Sequence, residues 1–363
     1  MNLPKPRLAI VCSYKTSCTN AYYADALIHF LESAFEVEVL DLRSFQLLRL
    51  EGSLYYQKSE AYLNELCQKL QQFDIVNVHL ELGLFGTRIE DMTRRIQKIC
   101  QASKRLILTM HRLDVDDGEH AQSYAAILQS LKNRPSSNPF HVIVHLPRER
   151  TIIEEMYSIK NISDFPVIFL TDKRREHFQQ MRNPNVWKKQ FGLSDNDITI
   201  GFFGLLNPYK NYSHALKTLK LLPSHYKLLI VGEAPPAGIK TWQVDPTIQE
   251  ILSYLDNNPT LQDRVIFTGR RDDSQFNEDL ANIDFVLIPY FEVGQSASAS
   301  LSNALEVCCP ILMSKTFNCR EYEMYFPDCF ETFDIGNYYE TKNKILNFNR
   351  KKTQNLKVRL SQY

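Results

Sequence analysis

The chain has no charge of either sign to spare: 42 Lys and Arg balance 42 Asp and Glu across 363 residues. That balance leaves no overall basic field of the kind non-specific nucleic-acid binding uses, so no nucleic-acid partner is expected. Long hydrophobic runs are also missing, and none approaches the roughly 20 apolar residues of a membrane span. The apolar stretch inside the opening MNLPKPRLAIVCSY is short and lacks a small-residue cleavage site, so it reads as a first strand and not as a signal peptide. The eight cysteines form no CxxC pair and have no paired histidine spacing. Neither a zinc site nor a disulfide framework is indicated, and a reduced, cytoplasmic compartment fits best.

Familiar motifs are absent as well. No GxGxxG follows the first strand and no GxxxxGK[ST] occurs, which removes the main signals of dinucleotide oxidoreductases and P-loop enzymes. Gly294-Gln-Ser296-Ala-Ser298 approaches a nucleophile elbow but ends in Ser where that pattern has Gly. His79-Leu-Glu81 has the H-x-E spacing of zinc deaminases without the P-C-x-x-C partner. Glycine is scarce, 12 in all, so each glycine beside an apolar run is worth reading as a backbone requirement.

What is present is a rhythm of short apolar runs and helical patterns. Residues 7–12, 36–40, 74–79, 105–110, 139–145 and 166–170 read as strands, with helices at 21–34, 59–72, 88–102 and 123–132 between them. Residues 172–197 are charged and turn-rich and read as a linker. The rhythm restarts with strands at 198–203, 227–231, 264–268, 284–289 and 310–314, alternating with helices. The expected fold class is therefore α/β with two Rossmann-like parallel-sheet domains, 1–171 and 198–339. A tail over 340–363 carries seven Lys/Arg against one acid and is expected to be helical. It reads either as a solvated terminal helix or as a surface drawn to anionic lipid, which would bring the protein to the inner face of a membrane.

In doubly wound sheets ligands bind outside the carboxyl ends of the strands, so the loops there carry the information. In the second half, Gly201-Phe-Phe-Gly204-Leu-Leu-Asn207-Pro-Tyr-Lys210 offers close backbone approach and an ammonium suited to a phosphate; a tight strand exit with an exposed lysine is the competing reading. Gly232-Glu233 closes the next strand. Gly294-Gln295-Ser296-Ala297-Ser298-Ala-Ser300 runs into a helix start, where backbone N–H groups and the helix dipole favour an anion; simple N-capping by a serine is the competing reading. In the first half, Lys15 and Thr16 follow strand one, Glu81 and Gly83 follow the third, and His111 and Arg112 the fourth. A histidine there can donate to a sugar hydroxyl or accept a proton, or simply hold its loop.

Taken in order, these segments resemble the family-four retaining glycosyltransferases of the GT-B fold over most of the chain. Gly204-Leu-Leu-Asn207-Pro-Tyr-Lys210 is similar to the family's G-x-x-R-P-x-K-G, and Ile283-Asp284-Phe-Val-Leu-Ile-Pro289 to its A-D-v-x-v-x-P strand. The run from Gln295 to Asn303 resembles the donor-site helix with two glutamates eight apart, in its Q-S-A-S form. Residues 74–86 resemble D-V-V-H-x-Q-H-E-x-G-x-F-G, and Thr109-Met-His111 resembles T-x-H.

The resemblance implies two domains facing across a cleft. A UDP- or GDP-linked sugar would be held mainly by the second, a glycan, lipid-linked or protein acceptor by the first, and transfer would retain configuration without a required metal or other cofactor. Catalytic roles fall to His111, Lys210 and Gln295. Donor contacts fall to Gly204, Asn207, Lys210, Glu233, Arg270, Gln295, Ser296, Ala297, Ser298 and Asn303, and acceptor-side contacts to Lys15, Thr16, Glu81, Gly83, His111 and Arg112. Three departures stand out: Asn207 replaces the family's Arg, and Gln295 and Asn303 replace its glutamates. They motivate an alternative, a GT-B protein of weak or no activity that binds a glycan, nucleotide or protein partner.

Overall fold

A computed structural model describes residues 4–15, 19–49, 52–115, 118–232, 245–294 and 296–361. Of the site residues expected from sequence, Thr16, Glu233 and Gln295 lie outside the described residues. The chain divides into two units, Met1–Thr171 and Asp172–Tyr363.

The first unit holds strands β1 (Arg7–Cys12), β2 (Glu36–Asp41), β3 (Ile75–Leu80), β4 (Leu106–Met110), β5 (Phe140–Val144) and β6 (Ile162–Asp164). They form one sheet in the order β2-β1-β3-β4-β5-β6, and each pairing is parallel. The second unit holds β7 (Ile198–Phe203), β8 (Tyr226–Val231), β9 (Val265–Gly269), β10 (Phe285–Ile288), β11 (Ile311–Ser314) and β12 (Glu331–Phe333). Their order, β12-β11-β10-β7-β8-β9, is the 3-2-1-4-5-6 arrangement of dinucleotide folds read from the other edge. Its topological switch point lies between β7 and β10, where successive crossovers leave in opposite directions.

The two faces of the first sheet differ. Ala9, Val11, Val76, Val78, Leu80, Leu108, Met110, Val142 and Val144 join one large apolar core, as parallel strands covered by helices require. The other face bears Asn77 and His79 on β3 and Thr109 on β4, all buried. Asn77 is in register with Ile10, and His79 with Thr109. Ile10 and Cys12 pack there with Ala24 of the helix Thr19–Leu31.

Two sequence expectations need correction. Residues 166–170 (PVIFL) form no strand, although Val167 to Leu170 are buried. The sixth strand is Ile162–Asp164 instead; Pro166 brings no N–H to a ladder, and Phe165 donates the last backbone bond, to Val144. Residues 172–197, read as a linker, contain the helices Asp172–Gln180 and Pro184–Gln190 of the second unit. Buried Trp187 donates its indole N–H to Asp279 at 2.8 Å, and Asp279 also accepts from Arg271 at 2.8 Å. The basic tail forms the helices Tyr338–Leu346 and Lys351–Leu360.

Candidate functional site

At the switch point of the second sheet, the loops that leave β7 and β10 are stitched together. Phe291 donates its backbone N–H to Tyr209 O at 2.8 Å. The Asn211 side chain donates to Pro289 O at 3.1 Å, and the Tyr209 and Tyr290 rings meet edge to face with centroids 5.3 Å apart. Asn211 sits in the left-handed region at φ 62° and caps the helix Tyr212–Leu221 through His214 N, a conformation asparagine tolerates better than most residues.

Lys210 is delivered to the centre of this junction. A 3-10 turn, Pro208–Lys210, carries it inward, and only 4% of the residue is exposed. Its Nζ donates to Phe203 O at 2.8 Å and lies 5.7 Å from the Tyr290 ring centre. Burial drives its pKa from the ordinary 10.5 down to about 7, and among the described residues no carboxylate offsets the lost hydration. Gly204, at φ +95°, leaves the space this ammonium needs: a β-carbon would sit 2.6 Å from Nζ and 2.7 Å from Ser300 Oγ.

The serine-rich run is engaged internally more fully than its sequence indicates. Ser298 caps the helix Ala299–Glu306 by accepting from Leu301 N at 3.3 Å. Ser300 donates to Phe203 O at 3.1 Å, the carbonyl that Lys210 also uses. Ser302 meets Tyr322 Oη at 3.0 Å, and Ser296 O accepts from Asn318 at 2.8 Å. The hydroxyls of Ser298, Ser300 and Ser302 thus fasten the helix to β7 and its neighbours, and the capping reading holds for Ser298. Ala297 and Asn303 are half-buried on the same segment.

Asn207, standing where the family has arginine, caps the 3-10 turn by accepting from Tyr209 N. Arg271 is held by Asp279, whereas Arg270, just after β9, is exposed. Lys210 therefore gains no second cation from Arg271.

The first unit gathers a different set at the carboxyl ends of β3 and β4. His111 donates its backbone N–H to Leu80 O at 3.0 Å, which sets it beside Glu81. Burial raises the Glu81 pKa, with Arg112 opposing the shift. Arg112 is exposed and binds Asp114 at 2.7 Å. Lys15 is exposed at φ 52°, with its Nζ 5.7 Å from the Tyr14 ring centre. Gly83 is exposed, and a β-carbon there would meet nothing within 4 Å. Neither crowding nor a left-handed backbone requires glycine at that position.

Sequence reading missed the partners of His111. The side chain of His145, one residue past β5, reaches it at 2.9 Å, and Tyr23 lies against His79, His111 and His145 with ring centroids 5.2 to 5.5 Å apart. The signal was there. Residues 76–81 (VNVHLE) alternate apolar and polar side chains, although both faces of the strand are covered, and residues 140–145 (FHVIVH) end on a histidine at the position His111 holds after β4.

No curated protein sequence matches the chain. Residues 184–324 match the family model described as glycosyl transferases group 1. Among solved structures, Anabaena HepE in complex with UDP superposes with a TM-score of 0.68 at 14% identity, covering 98% of this chain and 95% of that one. Sucrose-phosphate synthase from Thermosynechococcus elongatus gives 0.70 at 12% identity, covering 98% and 94%. A structure described as trehalose-6-phosphate from E. coli, bound with UDP-2-fluoro glucose, gives 0.65 at 9%, covering 98% and 95%. At these identities the likeness establishes the fold: α/β, with two parallel-sheet units of the GT-B class. Among the described residues no helix is long and apolar enough to cross a membrane.

Proposed function

We propose that the chain is a retaining glycosyltransferase that takes a sugar from a UDP- or GDP-linked donor held by the second unit and passes it to a hydroxyl-bearing acceptor. The observation that carries this reading is Lys210: a buried ammonium, without a carboxylate partner among the described residues, at the switch point of a dinucleotide-type sheet. Such a group is costly unless an anion completes it, and a pyrophosphate is the anion that such switch points accommodate. The match of residues 184–324 to glycosyl transferases group 1 covers this segment, and the UDP complex of HepE shares the fold. In this reading Gly204 admits the phosphates and the start of the helix Ala299–Glu306 faces developing negative charge with backbone donors. Gln295 and Asn303 contact sugar and ribose hydroxyls, and no metal is required.

The test is a thermal-shift panel of nucleoside diphosphates followed by a sugar-nucleotide hydrolysis assay. A specific nucleotide at 100 times its Kd is expected to add about 2.7 kcal/mol of apparent stability. Release of diphosphate should persist in EDTA, with the sugar first appearing in the donor's anomeric configuration. If no nucleotide moves the transition, the reading fails. A nucleotide that binds without turnover, whatever acceptor is supplied, selects the alternative of a binding protein, which Asn207 and Asn303 favour.

The tail suggests where the acceptor is met. Arg350, Lys351, Lys357 and Arg359 are exposed on or beside the last helix, along with Val358 at 64% exposure. Lys344 and Lys352 instead approach Glu331 and Glu340. Each exposed cation near an anionic bilayer contributes roughly 1 kcal/mol. The protein should therefore float with phosphatidylserine vesicles and not with phosphatidylcholine ones, and K351E/K357E should abolish flotation. Equal flotation with both lipids would dismiss an electrostatic contact.

A further inference from the structure

Three imidazoles lie together on the polar face of the first sheet. His79 and His145 are fully buried, and Tyr23 of the helix Thr19–Leu31 covers all three. The His111 and His145 rings lie edge to edge, with centroids 5.0 Å and planes 27° apart. No group of three or more His, Cys, Asp or Glu side chains capable of holding a metal ion occurs among the described residues. The geometry instead resolves into a chain of hydrogen bonds with one possible direction.

That direction starts at a carbonyl. His145 Nδ1 lies 3.0 Å from Phe165 O, and a carbonyl only accepts, so Nδ1 carries the proton. Burial holds these rings neutral, with His145 pushed down to about 4 and His79 to about 3, and His111 also lies well below its ordinary value. A neutral His145 with Nδ1 protonated has a lone pair on Nε2. His111 Nδ1, 2.9 Å from that lone pair, must be the donor. Its own Nε2 is then an acceptor, and this atom is buried without a partner among the described residues.

We infer that His145 is a positioning residue: it locks His111 in the Nδ1–H tautomer and so keeps Nε2 as a lone pair, which a hydroxyl of a bound carbohydrate reaches by displacing the side chains that bury it. The carbohydrate rests on the proposed transferase function; the tautomer does not. A lone pair repels a phosphate or carboxylate and attracts an O–H donor, so the relay selects a hydroxyl over an anion at this edge of the first unit. The arrangement parallels the base and orienter of a hydrolytic triad, with a second imidazole and a backbone carbonyl in place of the carboxylate. The two ring nitrogens of His79 are likewise buried without partners among the described residues, one step down the same face.

The experiment is long-range 15N–1H correlation on histidine-labelled full-length protein, with the His111 signals identified by their loss in His111→Asn. In the parent, His111 should be neutral and protonated at Nδ1 between pH 6 and 8. In His145→Gln the carboxamide can still accept from His111 and donate to Phe165 O, so that tautomer should persist. In His145→Phe it should be lost. Hydrolysis of the active sugar nucleotide should fall about tenfold to a hundredfold in His145→Phe, the scale of outer-sphere effects on an oriented imidazole, and recover in His145→Gln. A parent His111 protonated at Nε2, or charged in that range, overturns the inference even if His145→Phe fails to fold. So does a His145→Phe protein that keeps the parent tautomer. Failure of every nucleotide to bind would instead overturn the transferase reading and leave the tautomer result standing.

Discussion

Lys210→Met should raise the melting temperature of the unliganded protein while removing its response to nucleoside diphosphates. The two effects have one cause. The ammonium is buried with a single backbone carbonyl as its acceptor among the described residues, at 2.8 Å, and desolvation accounts for a pKa near 7 against the ordinary 10.5. The fold therefore disfavours the charged form. Between pH 7 and 10.5 the unfolded chain holds a proton that the folded chain has lost, so the Lys210 contribution to stability improves as pH rises through that window. At and below pH 7 the penalty is complete, on the order of a few kcal/mol. Methionine fills similar volume without it, so the gain in melting temperature should be largest at pH 7 or below and vanish above 10.5.

A bound diphosphate reverses the balance, because its charge favours the ammonium and restores the missing proton. Binding to the parent above pH 7 should therefore take up a proton, detectable by calorimetry in buffers of different ionisation enthalpy. The contribution of Lys210 to affinity should weaken about tenfold per pH unit above 7 until the pKa of the liganded state is reached. Lys210→Met should lose both behaviours, and turnover should fall about a hundredfold to a thousandfold, as when one pre-aimed donor to developing charge is removed. A methionine variant that binds UDP or GDP as the parent does would remove the premise of the proposed function.

Much of this was legible in the chain because it depends on local chemistry. Strand runs such as residues 198–203 and 284–289 are short, apolar and bounded by turn residues, and they appear as β7 and β10 within a residue or two. Lys210 and Gly204 stood out as a glycine and a lysine between a strand end and a helix, but an exposed lysine at a tight strand exit reads the same way in sequence, and only the fold shows Lys210 buried. The short β12 was not, since Glu331–Phe333 has three residues and no periodicity. Nor could the sequence tell which serine of residues 296–302 caps the helix and which ones bind a carbonyl or a tyrosine, because that depends on the distance to β7 and to Tyr322. The pairing of His145 with His111 was missed although a histidine visibly ends residues 140–145, because its partner lies 34 positions away. Arg271 makes the same point: its neighbourhood in sequence does not show that buried Asp279 holds it.

The second large effect is expected at Gly232, which the sequence marks only as the close of a strand. Gly204 N donates to Val231 O at 2.9 Å, so the ends of β7 and β8 close backbone against backbone, and Gly232 follows at φ +150°. A β-carbon there would lie 2.3 Å from Gly204 O and 2.8 Å from Gly204 C. No rotamer relieves a clash with main chain. Gly232→Ala must push the Gly204 peptide back by about 1 Å to reach ordinary van der Waals separation, in addition to straining its own backbone. The same movement displaces Phe203 O, which both Lys210 and Ser300 bind. A loss of about 2 to 4 kcal/mol in stability is expected from overpacking and strain together, with nucleotide affinity down about a hundredfold from misplacement of the ammonium. Gly204→Ala separates the two consequences, since its β-carbon would meet the ends of flexible side chains, Lys210 Nζ and Ser300 Oγ; it should fold and still bind poorly. Gly269→Ala is the control. Its φ is +69° but nothing lies within 4 Å of the added carbon, so it should cost about 1 kcal/mol of strain and leave affinity unchanged. If denaturant unfolding and nucleotide titration place Gly232→Ala beside Gly269→Ala, the close approach of the two strand ends does not hold Lys210 in place.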